Sequence, residues 1–198
     1  MSGTTTTEAS SPTLDFAGLL SVLGFTDDEF VSLLYEDAVG ERHAAVMKPA
    51  DAIAAAATIP ATADAYFGVN PVRGPARRKV RGTEADVTRL AALCADLDVK
   101  PGACPSLDVA HTIIDDLSML AADRPSAVVD SGHGLHPYWP IGDGHVIGGD
   151  VGPARATLKR WGRLVVVVAE KRHVAVDNVF DLPRMLRIPG TYNNKVVQ

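Results

Sequence analysis

One apolar segment in the middle of the chain constrains the fold most, because it must be buried and yet carries two carboxylates one residue apart. Residues 93–100 read LCADLDVK, and the leucine, alanine, cysteine and valine side chains predict a buried strand. Since alternate residues of a strand point to the same face, Asp96 and Asp98 are expected side by side. Two carboxylates held that close repel each other, and a divalent cation that takes oxygen ligands from both is the usual remedy. The alternative is a strand end at which both aspartates simply reach water.

The composition is that of a soluble globular protein with one core of good size. Of the 198 residues, 46% are hydrophobic and 22% are charged, and the formal net charge is −5. This charge argues against nucleic-acid binding by the whole surface, although it says little about a local patch. Cys94 and Cys104 have no CxxC partner, so no zinc site is expected. The chain shows neither a signal peptide nor an apolar stretch long enough to span a membrane, so a cytoplasmic protein is expected.

Hydrophobic patterns divide the chain into a helical start and a mixed remainder. Residues 1–12 are expected to be a disordered tail, 13–60 a helical segment and 61–198 a second, larger unit. Helices are predicted over residues 14–23, 27–37, 49–58, 105–122, 152–170 and 179–186. Strands are predicted over residues 64–70, 88–99, 127–129, 135–141 and 173–176. Because helices are few and hairpin connections are present, the pattern favours an α+β fold, with helices packed on one face of a sheet, over a doubly wound fold.

A short loop concentrates positive charge on this otherwise acidic chain. Within nine residues that include glycine and proline, the loop carries Arg73, Arg77, Arg78, Lys79 and Arg81. One interpretation is a solvated surface loop. The other is a local patch that contacts phosphates.

A glycine-rich turn at residues 131–136, SGHGLH, offers groups that bind anions. Its two glycines allow backbone N–H groups to approach an anion closely, and Ser131 adds a hydroxyl. A strand after the turn would place Gly134 and His136 on one face, so that His136 could share a cleft with the aspartates. The alternative is an ordinary solvated hairpin.

A third carboxylate follows the predicted strand 173–176. Asp177 would complete what a site for two cations needs, since two side chains cannot hold a pair of ions. It could instead cap the helix predicted after it, and Asp181 is a rival ligand, although pairing with Arg184 is its expected role. The segment that follows, DLPRMLRIPGTYNNK, places arginines, Asn193 and Lys195 nearby. Such a set suits a ligand that is both metal-bound and polyanionic, such as a nucleoside triphosphate.

The order DLD, SGHGLH, then VD followed by DLPRMLRIPGTYNNK resembles the archaeo-eukaryotic primase superfamily, over roughly residues 66–195. Within that superfamily the chain is most similar to the primase-polymerase domains of phages and mobile elements. The resemblance implies an RNA-recognition-motif-like catalytic sheet, antiparallel or mixed, joined to a smaller α/β unit. It implies that Asp96, Asp98 and Asp177 hold two Mg²⁺ or Mn²⁺ ions. For binding of the nucleotide it implies Ser131, Gly134, His136, Arg187, Asn193 and Lys195.

The function expected from this resemblance is template-directed synthesis or extension of primers on single-stranded DNA from NTPs or dNTPs. Residues 61–198 would be the catalytic domain, excised from a longer chain, acting as a monomer in the cytoplasm (of the host cell, if a phage encodes it). A fused or separate helicase would be its partner, and the basic loop would follow the template or primer backbone. Two alternatives stay open: a non-catalytic replication-initiation or single-strand-binding module on the same fold, and a glycosyltransferase that uses DxD to bind a nucleotide sugar.

Overall fold

The computed structural model describes residues 14–36, 39–60, 63–74 and 81–191, and these form an α+β fold, as predicted. The helices are α1 (Phe16–Val22), α2 (Pro49–Ala56), α3 (Leu107–Ala121) and α4 (Gly152–Glu170), with a 3₁₀ turn at Glu84–Asp86. The strands are β1 (Val31–Glu36), β2 (Arg42–Met47), β3 (Ala65–Gly68), β4 (Arg89–Cys94), β5 (Leu97–Asp98), β6 (Ala127–Asp130), β7 (Gly134–Val146) and β8 (Met185–Arg187). Within these residues no helix combines the length and the apolar character that crossing a membrane requires.

The first sheet has the order β2-β1-β3-β8 and is antiparallel throughout. Helices α1 and α2 pack against it, and Phe16 of α1 meets Phe67 of β3 edge to face, with ring centroids 5.3 Å apart. The strand β8 joins this sheet from the far end of the chain, pairing Arg187 with Tyr66. The first sheet therefore combines the start of the chain with its last described strand.

The second sheet is built around the long strand β7, which has partners along both edges. Tyr138 of β7 pairs with Cys94 of β4 and also with Ala127 of β6, so these two strands lie on opposite sides of it. Side chains of successive residues in this sheet point alternately into two different hydrophobic cores. Cys94 and Tyr138 face the core of the first sheet, whereas Leu97 and Leu135 face α3 and α4. Both faces of the second sheet are thus covered.

The predicted strand 88–99 is interrupted at Ala95 and Asp96, and Pro137 on β7 explains the break. The pairing register is the same on both sides of the break, with Cys94 opposite Tyr138 and Leu97 opposite Leu135. The N–H of Ala95 donates to the carbonyl of Pro137 at 3.4 Å, but proline has no N–H to donate in return. One ladder hydrogen bond is therefore lost, while the alternation of side chains continues across the gap.

The prediction of a helix over residues 27–37 is wrong, because residues 31–36 form β1. Leu33 of β1 is completely buried opposite Phe67, and valine, leucine and tyrosine fit a half-buried strand well. The acidic residues before β1 make a turn, in which the N–H of Thr26 donates to the carboxylate of Glu29 at 3.0 Å. The segment 13–60 consequently holds a hairpin, β1 and β2, besides its two helices, and β1 pairs beyond it with β3.

Two further predictions are wrong after α4. Residues 173–176 pair with none of the described strands, and residues 179–186 do not form a helix but run through a turn into β8. Pro183 removes a backbone donor where a helix would need one, and Leu186 is buried at a position that fits the alternation of a strand. An irregular segment, residues 171–184, therefore connects the two layers of the fold.

The close approach of β5 to β7 depends on the absence of a side chain at Gly134. A Cβ atom there would lie 2.3 Å from the carbonyl oxygen of Leu97 and 2.7 Å from Cα of Asp98. We predict that Gly134→Ala lowers the free energy of unfolding by roughly 1–3 kcal/mol, because backbone atoms cannot move aside as a flexible side chain can. Guanidinium denaturation measures this value.

Gly142→Ala is the matched control, since Gly142 lies on the same strand and a Cβ there would meet nothing within 4 Å. Its free energy of unfolding should stay within about 0.5 kcal/mol of the wild-type value. Equal effects of the two substitutions would contradict the close approach of the strands.

Candidate functional site

Three carboxylates from two distant parts of the chain meet at one end of the second sheet. Asp96 lies in the break between β4 and β5, Asp98 ends β5, and Asp177 belongs to the irregular segment after α4. One carboxylate oxygen from each lies within 4.8 Å of the other two. The Asp96 side chain is 18% exposed and that of Asp177 is 58% exposed, so the cluster runs from the interior to solvent. With no helix after it, Asp177 has no cap to form.

Lys100 is a member of this cluster that the sequence analysis did not single out. Its Nζ atom donates hydrogen bonds of 2.9 Å to Oδ2 of Asp98 and to Oδ2 of Asp177. These bonds hold the pKa of Lys100 well above its usual range. The signal was present in the sequence, because Lys100 continues the alternation that puts Asp96 and Asp98 on one face.

His136 contacts the buried member of the triad from the neighbouring strand. The register of β4 and β5 on β7 places Asp96 opposite His136, and Nε2 of His136 lies 3.2 Å from Oδ1 of Asp96. Burial raises the pKa of the Asp96 carboxyl, but the contact with His136 and the charge of Lys100 more than offset this effect. The pKa of Asp96 therefore lies below its usual range, and its ionised form is favoured.

The donor set at this site fits a divalent cation. The contact from His136 is close but poorly directed, so Oδ1 of Asp96 is a buried acceptor that lacks a hydrogen-bond donor among the described residues. Carboxylate oxygens are the ligands that Mg²⁺ and Mn²⁺ prefer, and three of them converge here. The ammonium group of Lys100 between two of them shows that the site attracts positive charge. Asp96, Asp98 and Asp177 are thus able to hold a divalent metal ion.

The glycine-rich turn lies beside the triad, where it joins β6 to β7. The hydroxyl of Ser131 donates to the carbonyl of Gly134 at 3.1 Å, and the N–H of Ser131 donates to the same carbonyl at 2.9 Å. The N–H of Gly132 donates to Oδ1 of Asp130 at 2.8 Å. Gly132 has φ of +84°, in the left-handed region that favours glycine. These bonds shape the turn itself, and binding of an anion by Ser131 and Gly134 stays a prediction.

Arg187 is buried, and its guanidinium group is engaged on the first sheet. Its side chain is 3% exposed, and Nη2 lies 2.9 Å from Oδ1 of Asp64 and 3.3 Å from the hydroxyl of Tyr66. The guanidinium also lies 5.1 Å from the centroid of the Tyr66 ring. These contacts stabilise the pairing of β8 with β3. A role for Arg187 in binding the nucleotide stays a prediction.

A shallow cleft of about 260 Å³ brings together two arginines that are distant in sequence. Arg81 ends the basic loop, and Arg184 belongs to the irregular segment. Arg184 pairs with Asp181, as predicted, although within a turn and not on a helix. Arg184 also donates to the carbonyl of Asn178, the residue after Asp177, at 3.0 Å.

One predicted site residue of the basic loop, Arg73, is not brought to the triad. Arg73 is exposed and lines a different pocket, together with Phe30 and Arg89. The remaining predicted residues lie outside the described part of the chain: Arg77, Arg78, Lys79, Asn193 and Lys195.

The fold is similar to that of a solved primase. A crystal structure of primase RepB' has a TM-score of 0.51 and 15% sequence identity, and the match covers 91% of this chain and 51% of that chain. A crystal structure of the RepB' catalytic domain in complex with initiator DNA has a TM-score of 0.48 and 15% identity, covering 90% of this chain and 76% of that chain. This chain therefore spans about half the length of the RepB' primase. No protein-family model and no curated protein matches the chain. At this identity the likeness shows a shared primase-like fold.

We predict that the contact between Arg187 and Asp64 contributes to stability. Arg187→Met should lower the free energy of unfolding by about 2 kcal/mol or more, because it leaves the Asp64 carboxylate partly buried without its partner. The effect should stay below that of a fully buried pair, since Asp64 keeps contact with water. Urea denaturation gives the value.

The double variant Arg187→Met/Asp64→Asn is the control for this prediction. It should be less destabilised than the sum of the two single variants, because the carboxylate charge is removed together with its partner. Strictly additive losses would contradict a direct interaction.

Proposed function

We propose that this chain is a template-directed nucleotidyltransferase that makes or extends primers on single-stranded DNA by a two-metal-ion mechanism, in the replication of a phage or mobile element. The observation that carries the proposal is the convergence of Asp96, Asp98 and Asp177. One oxygen from each lies within 4.8 Å of the others, although Asp177 is 79 residues from Asp98 in sequence. An arrangement of three carboxylates at the open end of a sheet suits the binding of divalent ions that a polyanionic substrate can reach.

Each residue of the site has a defined task in this proposal. The three aspartates hold Mg²⁺ or Mn²⁺, and the ions, when bound, lower the pKa of an attacking 3′-hydroxyl and neutralise charge on the triphosphate. His136 orients the Asp96 carboxylate from the opposite strand. Because Asp177 is more than half exposed, one side of the site is open to an incoming nucleotide and to the end of a primer.

Positively charged groups beside the triad support an anionic substrate. Arg184 donates to the carbonyl of Asn178, the residue after Asp177, and Arg81 shares the cleft with Arg184. We assign this cleft to phosphate groups of the nucleotide or of the primer–template backbone. Ser131, Gly134 and His136 are proposed to contact the triphosphate, with Arg187, Asn193 and Lys195 around the nucleotide. The basic loop, including Arg73, would follow the template.

The similarity to primase RepB' supports the proposal at the level of the fold. Many activities share one fold, so the proposal depends on the carboxylate cluster and not on this analogy. A fused or separate helicase as partner and the use of NTPs or dNTPs belong to the same proposal.

Primer-extension and de novo synthesis assays test the proposed function. Wild type and Asp98→Asn would be given single-stranded DNA template with Mg²⁺ or Mn²⁺, and NTPs or dNTPs would be supplied separately. Wild type should give metal-dependent products, and Asp98→Asn should lose at least about 100-fold in rate, since even the groups that orient metal ligands cost 10–100-fold when removed. Asp177→Asn should behave in the same way.

Asp115→Asn is the matched control, because it removes the same charge at an exposed position of α3, outside the triad and the basic loop. It should keep wild-type activity, and circular dichroism should show that all variants are folded. If wild type gives no product but still binds single-stranded DNA, a non-catalytic replication module is favoured. If it transfers sugar from a nucleotide sugar, the protein is a glycosyltransferase.

A further inference from the structure

The ammonium group of Lys100 is positioned between the two most exposed carboxylates of the triad. Its two hydrogen bonds, to Oδ2 of Asp98 and to Oδ2 of Asp177, are both 2.9 Å long. A divalent ion ligated by the same two oxygens would have to stand between them, at the shorter distances of about 2.0–2.6 Å. The ion and the ammonium cannot share this space, and their positive charges repel each other.

The backbone on either side of Lys100 is fixed, so the side chain is the part that is able to move. The N–H of Cys104 donates to the carbonyl of Asp98, and the N–H of Ala103 donates to that of Lys100, at 3.0 Å each. These bonds close a tight turn directly after β5. The Lys100 side chain is 41% exposed and flexible, so it can rotate into solvent without any change in the fold.

Lys100 also supplies a direct link from Asp177 to the second sheet. Asp177 lies on a segment that pairs with none of the described strands, and it belongs to a cluster of negative charge that would repel it. The bridge through Lys100 offsets this repulsion in the metal-free protein and holds Asp177 within reach of Asp98.

We propose that Lys100 is the built-in counterion of the triad, which keeps Asp98 and Asp177 together without metal and is exchanged for a divalent cation when one binds. This inference rests on the proposed metal site of the preceding section. Lys100 thereby sets the affinity for the cation: it preserves the geometry of the ligands, and it competes for two of them. Once displaced, its ammonium group lies next to the metal and is available to an anionic substrate.

Direct binding of Mn²⁺ to the free protein tests the exchange without relying on activity. Free Mn²⁺ would be measured by electron paramagnetic resonance in titrations of wild type, Lys100→Met and Lys100→Arg at constant ionic strength. Lys100→Met keeps the length of the side chain without its charge, and we expect it to bind Mn²⁺ about 10-fold tighter or more. Lys100→Arg keeps the charge and should bind like wild type or more weakly.

Thermal unfolding with and without Mn²⁺ provides the second readout. Without metal, Lys100→Met should unfold at a lower temperature than wild type at low salt, because the carboxylates lose their counterion. Saturating Mn²⁺ should raise the unfolding temperature of Lys100→Met by more than it raises that of wild type. Arg124→Met, which removes an exposed cation that follows α3, should leave both the Mn²⁺ affinity and the metal-free stability unchanged.

The outcomes separate this inference from the proposed function. Equal Mn²⁺ affinity of wild type and Lys100→Met, with binding lost in Asp98→Asn, would overturn the exchange and leave the metal site in place. Weaker binding by Lys100→Met would also overturn it, because Lys100 would then support the loaded site. If neither wild type nor Lys100→Met binds Mn²⁺, the proposed metal site itself is wrong.

Discussion

The pairing of β7 along both of its edges is the interaction on which the rest of the structure depends. Cys94 and Ala127 both pair with Tyr138, so β4 and β6 are held at one distance on either side of a strand that is buried on both faces. Alternation along β7 and its partners then assigns each side chain to a core. The same alternation directs Asp96 and His136 to one face, opposite each other. The pairing register of β7 with its neighbours thus determines both the packing of the two cores and the position of Asp96 and His136 in the site.

Two polar or cationic side chains from different elements offset the repulsion among the three carboxylates of the site. His136 contacts the buried carboxylate of Asp96, and Lys100 bridges the exposed ones of Asp98 and Asp177. Three carboxylates gathered without such partners would repel one another and disfavour the folded state. His136 and Lys100 thus offset the repulsion among the three carboxylates.

Prediction from the sequence was most successful where the periodicity was long. Helix α4 has the predicted bounds, and the bounds of α2, α3, β3 and β6 lie within two residues of the predicted ones. It failed over residues 27–37, because a run of this length fits a helix and a strand about equally well, and the pairing of Leu33 with Phe67 decides between them. It failed again after α4, where residues 179–186 have a helical pattern. Pro183 and the burial of Leu186 in the first sheet outweigh this pattern.

The sequence by itself determined that Asp96 and Asp98 share a face, because alternation is a local property of a strand. Only the tertiary structure decided that Asp177 completes the cluster. Asp177 lies on a segment with no periodicity, and its place is set by burial of Val174 and Leu182 in two different cores on either side of it. No rule of local geometry relates such a segment to a strand some 80 residues away; packing does.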